Sequence, residues 1–233
     1  MHIFFCENLD SETALLSEEE SKHAIQVLRL RNNDAVHVID GKGKFCDAII
    51  LDAHSKKCEL KIENCKIDFQ KHNYHFHIAI APTKQMERYE WFIEKAVELG
   101  VDEITPLLCH DSVRTNLRID RLQKVILSAV KQSIQAHLPK LNEAISFNDF
   151  AKKEFETIKM IAHCDEGNKK MMQDVIIKKQ NALLLIGPEG DFTPNEISLA
   201  LQNNFEAVSL GETRLRTETA GVYACSVMRM ING

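Results

Sequence analysis

The stretch of sequence that decides the fold is ALLLIGPEGDFTPNEI, residues 182–197. Its first five residues are all apolar, which is typical of a strand buried on both faces of a parallel sheet. A short loop with two glycines and a proline follows. Thr193 and Glu196 then have the spacing of a capping box, and Pro194 stands at the first helical position. The stretch therefore predicts a strand, a tight loop and a helix.

The same alternation continues on both sides of this stretch. Strand-like apolar runs are HFHIAIA (75–81), EITPLLC (103–109), IKMIAHC (158–164) and AVSL (207–210). Helices are predicted from about Lys84 to Leu99, from about Arg121 to Ala136, near Met171, from Pro194 and up to Ile231. Strands that alternate with helices build a parallel sheet covered by helices on both faces. We therefore expect an α/β domain over residues 73–233.

Residues 1–72 have a different pattern. Short β-type runs at 35–40, 45–53 and 58–68 are separated by polar and glycine-containing turns. One helix is indicated by a second capping-box pattern, Ser17 and Glu20, ahead of the run HAIQVLRL. This part is predicted to be a small β-rich domain that ends near residue 72.

Composition limits the possible classes of function. The chain has 233 residues, of which 44% are hydrophobic and 27% charged, as in ordinary globular proteins. The opening MHIFFCENLD lacks the basic and apolar regions of a signal peptide, and no apolar run has the length of a membrane span. We therefore expect a cytoplasmic protein with no membrane partner. The net charge of −5 argues against binding nucleic acid through bulk charge, so an RNA site needs local basic patches.

Neither a metal site nor a redox site is indicated by the sequence. The seven cysteines contain no CxxC pair, and we expect reduced, mostly buried thiols. His75 and His77 alternate along one predicted strand, but no third ligand follows at a suggestive spacing. No metal cofactor is therefore predicted.

Two loops are the candidate functional sites. Ligands of parallel α/β sheets bind beyond the carboxyl ends of the strands, which places the loops after ALLLI and AVSL there. The second loop, residues 210–220, reads LGETRLRTETA. Thr217 or Thr219 is placed to cap the following helix, but capping does not account for Arg214 and Arg216. Neither loop is a dinucleotide fingerprint or a P-loop. A functional role for the second loop is therefore favoured.

Together these segments closely resemble the bacterial 16S ribosomal RNA (uracil-N3)-methyltransferase family, a branch of the SPOUT superfamily. The two signature loops are IGPEG, residues 186–190, and LGxxRLRTETA, residues 210–220. Further matches are His23-x-x-x-Val27-Leu-Arg29, Lys84 through Glu87, Glu94 through Val101, Ser112-x-Arg114, and Gln132-Ser133 before Pro139. The resemblance implies an α/β fold with a SPOUT-type parallel sheet and a trefoil knot over residues 73–233. A PUA-like β-barrel for RNA is implied over residues 1–72.

The resemblance also implies a function, which is S-adenosylmethionine-dependent methylation of N3 of a uridine in 16S ribosomal RNA. The enzyme is expected to be a homodimer that acts within the small ribosomal subunit. Cofactor contacts are expected from both loops, at Leu185, Gly187, Glu189, Gly190, Leu210, Gly211, Leu215 and Thr217. RNA contacts are expected at Arg29, Arg31, Lys84 and Arg114. Arg216 is expected to stabilise the oxyanion that develops on uracil, while Glu218 either accepts the N3 proton or orients the arginine.

Two positions depart from the family pattern. The pattern has a further glycine where this chain has Asp191, and an arginine where it has Gln135. The last helix is unusually apolar, which supports a dimer; the residues are Val222, Ala224, Val227, Met228 and Ile231. Two other functions stay open from the residues alone: a non-catalytic RNA-binding protein with the same fold, and an enzyme that handles nucleotide phosphates.

Overall fold

The computed structural model describes residues 1–9 and 12–233, and the chain divides into two compact units. One unit contains Met1–Lys71 together with Val130–Leu138, and the other contains His72–Ala129 and Pro139–Gly233. The sequence predicts a single boundary near residue 72, whereas in the structure residues 130–138 also belong to the first unit.

Backbone hydrogen bonds explain why residues 130–138 group with the N-terminal unit. The Leu138 N–H donates to the Gly41 carbonyl at 2.9 Å, and the Gly43 N–H donates to the Ala136 carbonyl at 3.0 Å. Both glycines have a positive φ, of +75° and +111°, so the turn that carries them suits residues without a Cβ. This pairing joins segments about a hundred residues apart, and no local sequence pattern reports it.

The N-terminal unit contains a five-stranded sheet. Its strands are β1 (Ile3–Phe5), β2 (Thr13–Leu15), β3 (Ala35–Ile39), β4 (Phe45–Asp52) and β5 (Glu59–Lys66), in the order β1-β3-β4-β5-β2. Among the described strands of this sheet, β1 and β3 pair in parallel and the other neighbours are antiparallel. The three predicted β-type runs correspond to β3, β4 and β5. The strands β1 and β2 are three residues each, too short for an alternation pattern to predict them.

One short helix, α1 (Glu18–Lys22), continues into a π-helical segment, His23–Val27. Ser17 caps it as predicted, because its Oγ accepts the Glu20 N–H at 3.2 Å. The reciprocal half of the predicted capping box is wrong. The buried Glu20 carboxylate instead forms an ion pair with Lys131 Nζ at 2.6 Å. This charged partner replaces the weaker hydrogen bond to the N-terminus of α1 that a capping box would make.

The C-terminal unit is built on a parallel sheet, as the sequence predicts. Its strands are β6 (Phe76–Ile80), β7 (Glu103–Leu108), β8 (Lys140–Leu141), β9 (Ile145–Ser146), β10 (Ile158–Ala162), β11 (Lys170–Met171), β12 (Ala182–Ile186) and β13 (Glu206–Ser209). They lie in the order β11-β13-β10-β12-β6-β7-β8, with β9 paired to β7. Every residue of β6 and of β12 is buried, as expected for central strands covered on both faces.

Six helices belong to the α/β part of the chain. They are α2 (Met86–Glu98), α3 (Ile119–Gln132), α4 (Phe147–Ala151), α5 (Met172–Val175), α6 (Pro194–Gln202) and α7 (Thr217–Asn232). The helix α2 buries one stripe, and the chain leaves it through Gly100 at φ +84°, a left-handed turn that suits glycine. The helix α3 ends four residues before the predicted Ala136, because Ile134 takes a left-handed φ of +58°.

The apolar face of α7 is mostly used inside the chain. Ala224, Val227 and Met228 are buried, and a Cβ on Gly221 would collide with the Phe92 ring of α2. These residues therefore belong to the core. For them, the expectation of surplus apolar surface available to a dimer partner is wrong. Only Val222 and Ile231 of the five are partly exposed.

One expectation about the cysteines is also corrected. Cys46 and Cys65 lie in register on β4 and β5 and are joined by a disulfide, so these two are not reduced thiols. The other five are free, and of these Cys164 alone is exposed. Within the described residues, no helix combines the length and the apolar character needed to cross a membrane.

Candidate active site

A cavity of about 470 Å³ opens where three neighbouring strands of the C-terminal sheet end. Its lining comes from the loops after β10, β12 and β13, in residues 162–169, 186–191 and 208–220. These strands are adjacent and parallel, so their carboxyl ends meet at one edge. The volume is that of a pocket for a small organic ligand.

The loops after β12 and β13 are tied together by one buried hydrogen bond. Thr217 Oγ1 donates to the Gly187 carbonyl at 3.0 Å. The sequence suggested that Thr217 or Thr219 caps α7, and this interpretation is wrong. The N-cap is Arg216, which makes no side-chain cap bond, and Thr217 is the first helical residue. Its hydroxyl is used to join two loops.

Close packing shapes the loop after β12. A Cβ on Gly187 would lie 3.2 Å from both the Phe192 ring and the Phe192 nitrogen. A glycine lets the loop fold tightly onto Phe192, which belongs to the core beneath it. The same loop is held at Glu189, whose Oε1 accepts the Lys84 N–H at 2.8 Å.

Asp191, at the position where the family pattern has a glycine, keeps the backbone shape that glycine favours. Its φ is +73°, a left-handed conformation that aspartate tolerates better than most residues. Its carboxylate accepts two backbone N–H groups, from Phe192 at 2.8 Å and from Cys164 at 2.6 Å. Asp191 therefore connects the loop after β12 to the loop after β10.

The two residues predicted to be catalytic occupy different environments. Arg216 is exposed and lines the cavity. Glu218 is buried in the first turn of α7, outside that lining, and its Oε1 lies 3.8 Å from Arg88 Nε. Its Oε2 is shielded and has no hydrogen-bond partner among the described residues. Sequence reasoning missed Arg88, which carries no motif of its own.

Six of the eight predicted cofactor residues line the cavity: Gly187, Glu189, Leu210, Gly211, Leu215 and Thr217. The other two lie outside its lining. Leu185 is fully buried in the core of the sheet, and Gly190 lies beside Asp111 on the exposed side of its loop. The roles of all eight stay predictions.

Sequence reasoning missed the third loop, after β10. Its residues in the cavity wall are Ala162, His163, Cys164 and Lys169. Burial, followed by the nearby charge of Lys169, lowers the pKa of His163 below its usual value. The rule that ligands bind at strand carboxyl ends applies equally to IKMIAHC. That segment lacks the glycines and proline that singled out the loop after β12.

The predicted RNA contacts fall into two groups. Lys84 and Arg114 are exposed in the C-terminal unit, and Arg114 Nη2 donates to the Lys84 carbonyl at 3.3 Å. Lys84 is thereby linked on one side to Arg114 and on the other to the loop after β12. Arg29 and Arg31 are exposed in the N-terminal unit, where Arg29 has a φ of +58°. Their contacts with RNA stay predictions.

The two histidines at the start of β6 have structural partners. The buried His77 has its Nε2 2.7 Å from Thr105 Oγ1, and His75 Nε2 lies 3.4 Å from a Glu103 oxygen. Burial lowers the pKa of His77 to about 4. Across the part of the chain that the structure describes, no three His, Cys, Asp or Glu side chains are grouped to hold a metal ion.

Comparison with known families places this architecture. A family model described as RNA methyltransferase domain matches residues 70–229, which is more than half of the chain. The chain belongs to this RNA methyltransferase family. A second model, RNA methyltransferase PUA domain, matches residues 16–63. The predicted family and the predicted class, a SPOUT-type parallel sheet after a small PUA-like β domain, are thereby confirmed.

Individual members of the family are similar over almost their whole length. A probable rRNA-methyltransferase from Porphyromonas gingivalis is 36% identical, with a TM-score of 0.91 over 100% of this chain and 98% of that chain. Ribosomal RNA small subunit methyltransferase E from Neisseria gonorrhoeae, solved with S-adenosyl methionine, is 28% identical, with a TM-score of 0.89 and the same coverage. The Rickettsia conorii protein of that name is 29% identical over 227 residues, covering 95% of this chain and 91% of its own.

Proposed function

We propose that this chain is an S-adenosylmethionine-dependent methyltransferase that methylates N3 of a uridine in 16S ribosomal RNA. The observation that carries the proposal is the cavity at the ends of β10, β12 and β13. It is walled by the two family signature loops, in a fold whose Neisseria gonorrhoeae relative was solved with this cofactor.

The lining suits a nucleoside-containing cofactor. Apolar surface comes from Pro188, Leu210 and Leu215, which is the kind of wall that covers an aromatic base. Hydrogen-bonding capacity comes from the backbone of the loops that line the cavity. When bound, the cofactor supplies an activated methyl group on a positively charged sulfur.

The task left to the protein is to make uracil N3 nucleophilic. The N3 proton is weakly acidic, roughly like a phenol of pKa about 10, so its removal at pH 7 costs about 4 kcal/mol. We expect Arg216, which is exposed on the cavity wall, to donate to a uracil carbonyl oxygen as negative charge develops there. Preorganised donors of this kind contribute about 3 to 4 kcal/mol to such steps.

Glu218 is the candidate either to accept the N3 proton or to orient an arginine. Its Oε1 lies 3.8 Å from Arg88 Nε, so we expect Arg88, rather than the Arg216 named from the sequence, to be the arginine that it orients. Single-turnover rates of Glu218→Gln across pH distinguish its roles. If Glu218 accepts the proton, Glu218→Gln should lower the rate by about a hundredfold or more, because general-base catalysis contributes about 10²- to 10⁴-fold. A helix-terminus carboxylate changes stability by only about 0.3 to 1 kcal/mol and leaves the rate unchanged.

The deciding experiment is mass spectrometry of nucleosides from 16S ribosomal RNA of cells with and without the gene. We expect N3-methyluridine to disappear without the gene and to return with the wild-type chain. Unchanged nucleosides, combined with RNA binding, would instead support a non-catalytic RNA-binding protein. A melting shift with nucleotides but none with S-adenosylmethionine would support an enzyme that handles nucleotide phosphates.

The assembly and location belong to the same proposal. We expect a homodimer that acts on the small ribosomal subunit in the cytoplasm. Met230 on α7 is 81% exposed, and Val222 and Ile231 are partly exposed, which leaves apolar surface for a partner. Light scattering at micromolar concentration tests the dimer, and a monomer mass would remove it.

A further inference from the structure

We propose that Cys46 and Cys65 form a redox switch in the N-terminal unit. The disulfide form keeps the hairpin of β4 and β5 closed, and with it residues 29–34, called here the arginine segment. In the dithiol form both open more readily. The switch is independent of the methylation proposed above and shares with it only the cytoplasmic location.

The disulfide lies at the open end of the hairpin. Cys46 stands directly opposite Cys65 in the antiparallel register, while the turn that joins β4 to β5 is at the other end of both strands. Directly opposed residues share one face of a sheet. The register shifts directly after Asp47, and such an irregularity disrupts the ladder locally. The covalent link therefore joins the strands beyond this irregularity, at the end where the turn does not hold them together.

Strand β4 also holds the arginine segment by hydrogen bonds. The Asn33 N–H donates to the Ile50 carbonyl at 2.8 Å, and the Ile50 N–H donates to the Asp34 carbonyl at 3.1 Å. At the end of β4, the Ala53 N–H donates to Asn32 Oδ1 at 2.7 Å. Ile50 belongs to the same buried cluster as the two cysteines. Loosening of β4 therefore reaches the segment for which RNA contacts are predicted.

The surroundings favour a reversible pair over a permanent link. Cytoplasmic thiols keep most cysteines reduced, and the disulfides that form there are mostly transient or redox-sensing. Cys65 is partly exposed, whereas Cys46 is fully buried. We therefore expect a small thiolate from solvent to attack the sulfur of Cys65, with Cys46 as the leaving group.

The exchange is a two-electron reaction with a low-molecular-weight thiol. Its thiolate bonds to the Cys65 sulfur, the bond between the two protein sulfurs breaks, and Cys46 leaves as a thiolate that takes up a proton. A second thiolate attacks the small-molecule sulfur of this mixed disulfide and releases Cys65, which is protonated in turn. The protein disulfide is thereby reduced, and two small thiols are oxidised to one small disulfide. The reverse sequence restores the protein disulfide.

The other cysteines of this unit do not compete for the exchange. Cys6 and Cys58 are buried free thiols. Burial, followed by the nearby charge of Asp52, raises the pKa of Cys58 to about 11, so it has little thiolate at pH 7 with which to attack the disulfide. The exposed Cys164 belongs to the other unit. Cys164→Ser is the background for every experiment, so that added reagents act on the pair.

Glutathione is the probe for the exchange. The folded Cys164→Ser protein is equilibrated in buffers from fully reduced to fully oxidised glutathione, alkylated, and analysed by peptide mass spectrometry. We expect the disulfide to pass from less than about a tenth to more than about nine-tenths of the protein across this series. A disulfide that never forms would overturn the pair. One that persists in reduced glutathione would be a permanent link and would overturn the switch.

Hydrogen exchange of the folded protein tests what the disulfide controls. Peptides from β4, β5 and the arginine segment should exchange about tenfold or more faster in the dithiol form, because the cross-link disfavours open states of the chain that it closes. Peptides from β6 and β12 are the internal control and should exchange equally in both forms. Equal rates in the hairpin would overturn the switch. Equal rates in the arginine segment alone would overturn its reach to Arg29 and Arg31.

Single variants separate the disulfide from other effects of the buffers. Cys46→Ala and Cys65→Ser each prevent the bond, so each should exchange at the dithiol rate in both buffers. Cys58→Ala removes a buried thiol outside the pair, and as the matched control it should keep the redox response. A response that persists without the pair would overturn the proposal. Cys65 is the less buried of the two, so Cys65→Ser decides if Cys46→Ala fails to fold.

None of these measurements uses methylation. A protein that shows the switch but leaves ribosomal RNA unmethylated therefore loses only the proposed function. A protein that methylates RNA but shows no redox-dependent exchange loses only the switch.

Discussion

The loop after β12 and the loop after β13 face the same cavity but are built in opposite ways. The first is braced throughout: Gly187 packs on Phe192, Glu189 holds the Lys84 backbone, and Asp191 accepts two backbone bonds. The second is anchored near its ends, by a Ser209–Gly211 turn and by Thr217. Between these anchors, Glu212, Thr213, Arg214 and Arg216 are exposed.

This difference indicates a division of work. A braced loop keeps a fixed shape, which suits a ligand that is the same in every catalytic cycle. Exposed cationic side chains suit a large anionic partner that arrives from solvent. We therefore expect changes in the loop after β12 to alter stability and cofactor affinity, and changes in the exposed part of the loop after β13 to alter turnover.

The largest expected effect comes from Arg216→Ala. Loss of a donor to the developing oxyanion should lower the single-turnover rate on 16S ribosomal RNA by about a hundredfold. The dissociation constant of the cofactor should stay within about twofold. Arg214→Ala, two residues earlier and also exposed, is the matched control and should lose much less. Equal losses in both variants would mean that the loop acts through general charge.

Gly187→Ala should damage the braced loop. The added methyl group meets the Phe192 ring and backbone at 3.2 Å, and overpacking of this kind costs about 1 to 3 kcal/mol of stability. Chemical denaturation measures the loss. In a Phe192→Leu background the smaller side chain makes room, so the added cost of Gly187→Ala should fall by about half or more. Independent, additive effects would show that the contact with the backbone nitrogen, and not the Phe192 ring, is the cause.

Thr217→Val tests the bond between the two loops. The substitution keeps shape and burial but removes the donor to the Gly187 carbonyl, so we expect a loss of about 1 kcal/mol in unfolding free energy. Thr217→Ser keeps the hydroxyl and should recover most of it. Wild-type stability of the valine variant would mean that the two loops hold their positions without this bond.

The smallest effect is expected from Arg114→Ala. One lost phosphate contact should weaken RNA binding by a few fold and reduce the salt dependence by about one counterion. Cofactor affinity should not change. Arg118→Ala is the comparison, since Arg118 is already paired with Asp120 at 3.0 Å. If Arg114→Ala weakens cofactor and RNA binding equally, Arg114 belongs to the cofactor site instead.

Much of the C-terminal fold was predictable from local patterns. Strands such as ALLLI are apolar throughout because both faces are covered, and Thr193, Pro194 and Glu196 mark the start of α6 as the structure has it. The contacts that were not predictable join distant segments. The Glu20–Lys131 ion pair is the clearest case, because each residue alone has an ordinary local explanation.

The candidate site also has parts that local sequence patterns predict and parts that they do not. Two of its loops were found because glycine, proline, threonine and arginine are unusual directly after apolar strands. The loop after β10 has only Gly167 among these residue types, and its link to the loop after β12 depends on a carboxylate 27 residues away along the chain. Asp191 itself was visible only as a departure from the family pattern. The hydrogen bond that Asp191 accepts from the Cys164 N–H could not be inferred from the sequence.

The return of residues 130–138 to the N-terminal unit has a consequence for how the chain is made. The turn at Gly41–Gly43 makes two of its backbone hydrogen bonds with residues 136–138, so this unit is incomplete when residue 71 has been synthesised. At about 5 to 20 residues per second, the ribosome needs on the order of several more seconds to add the missing segment. During that interval the ribosome also synthesises the segment between residues 71 and 130, which includes β6, α2 and β7. Assembly of the two units during translation is therefore interleaved rather than sequential.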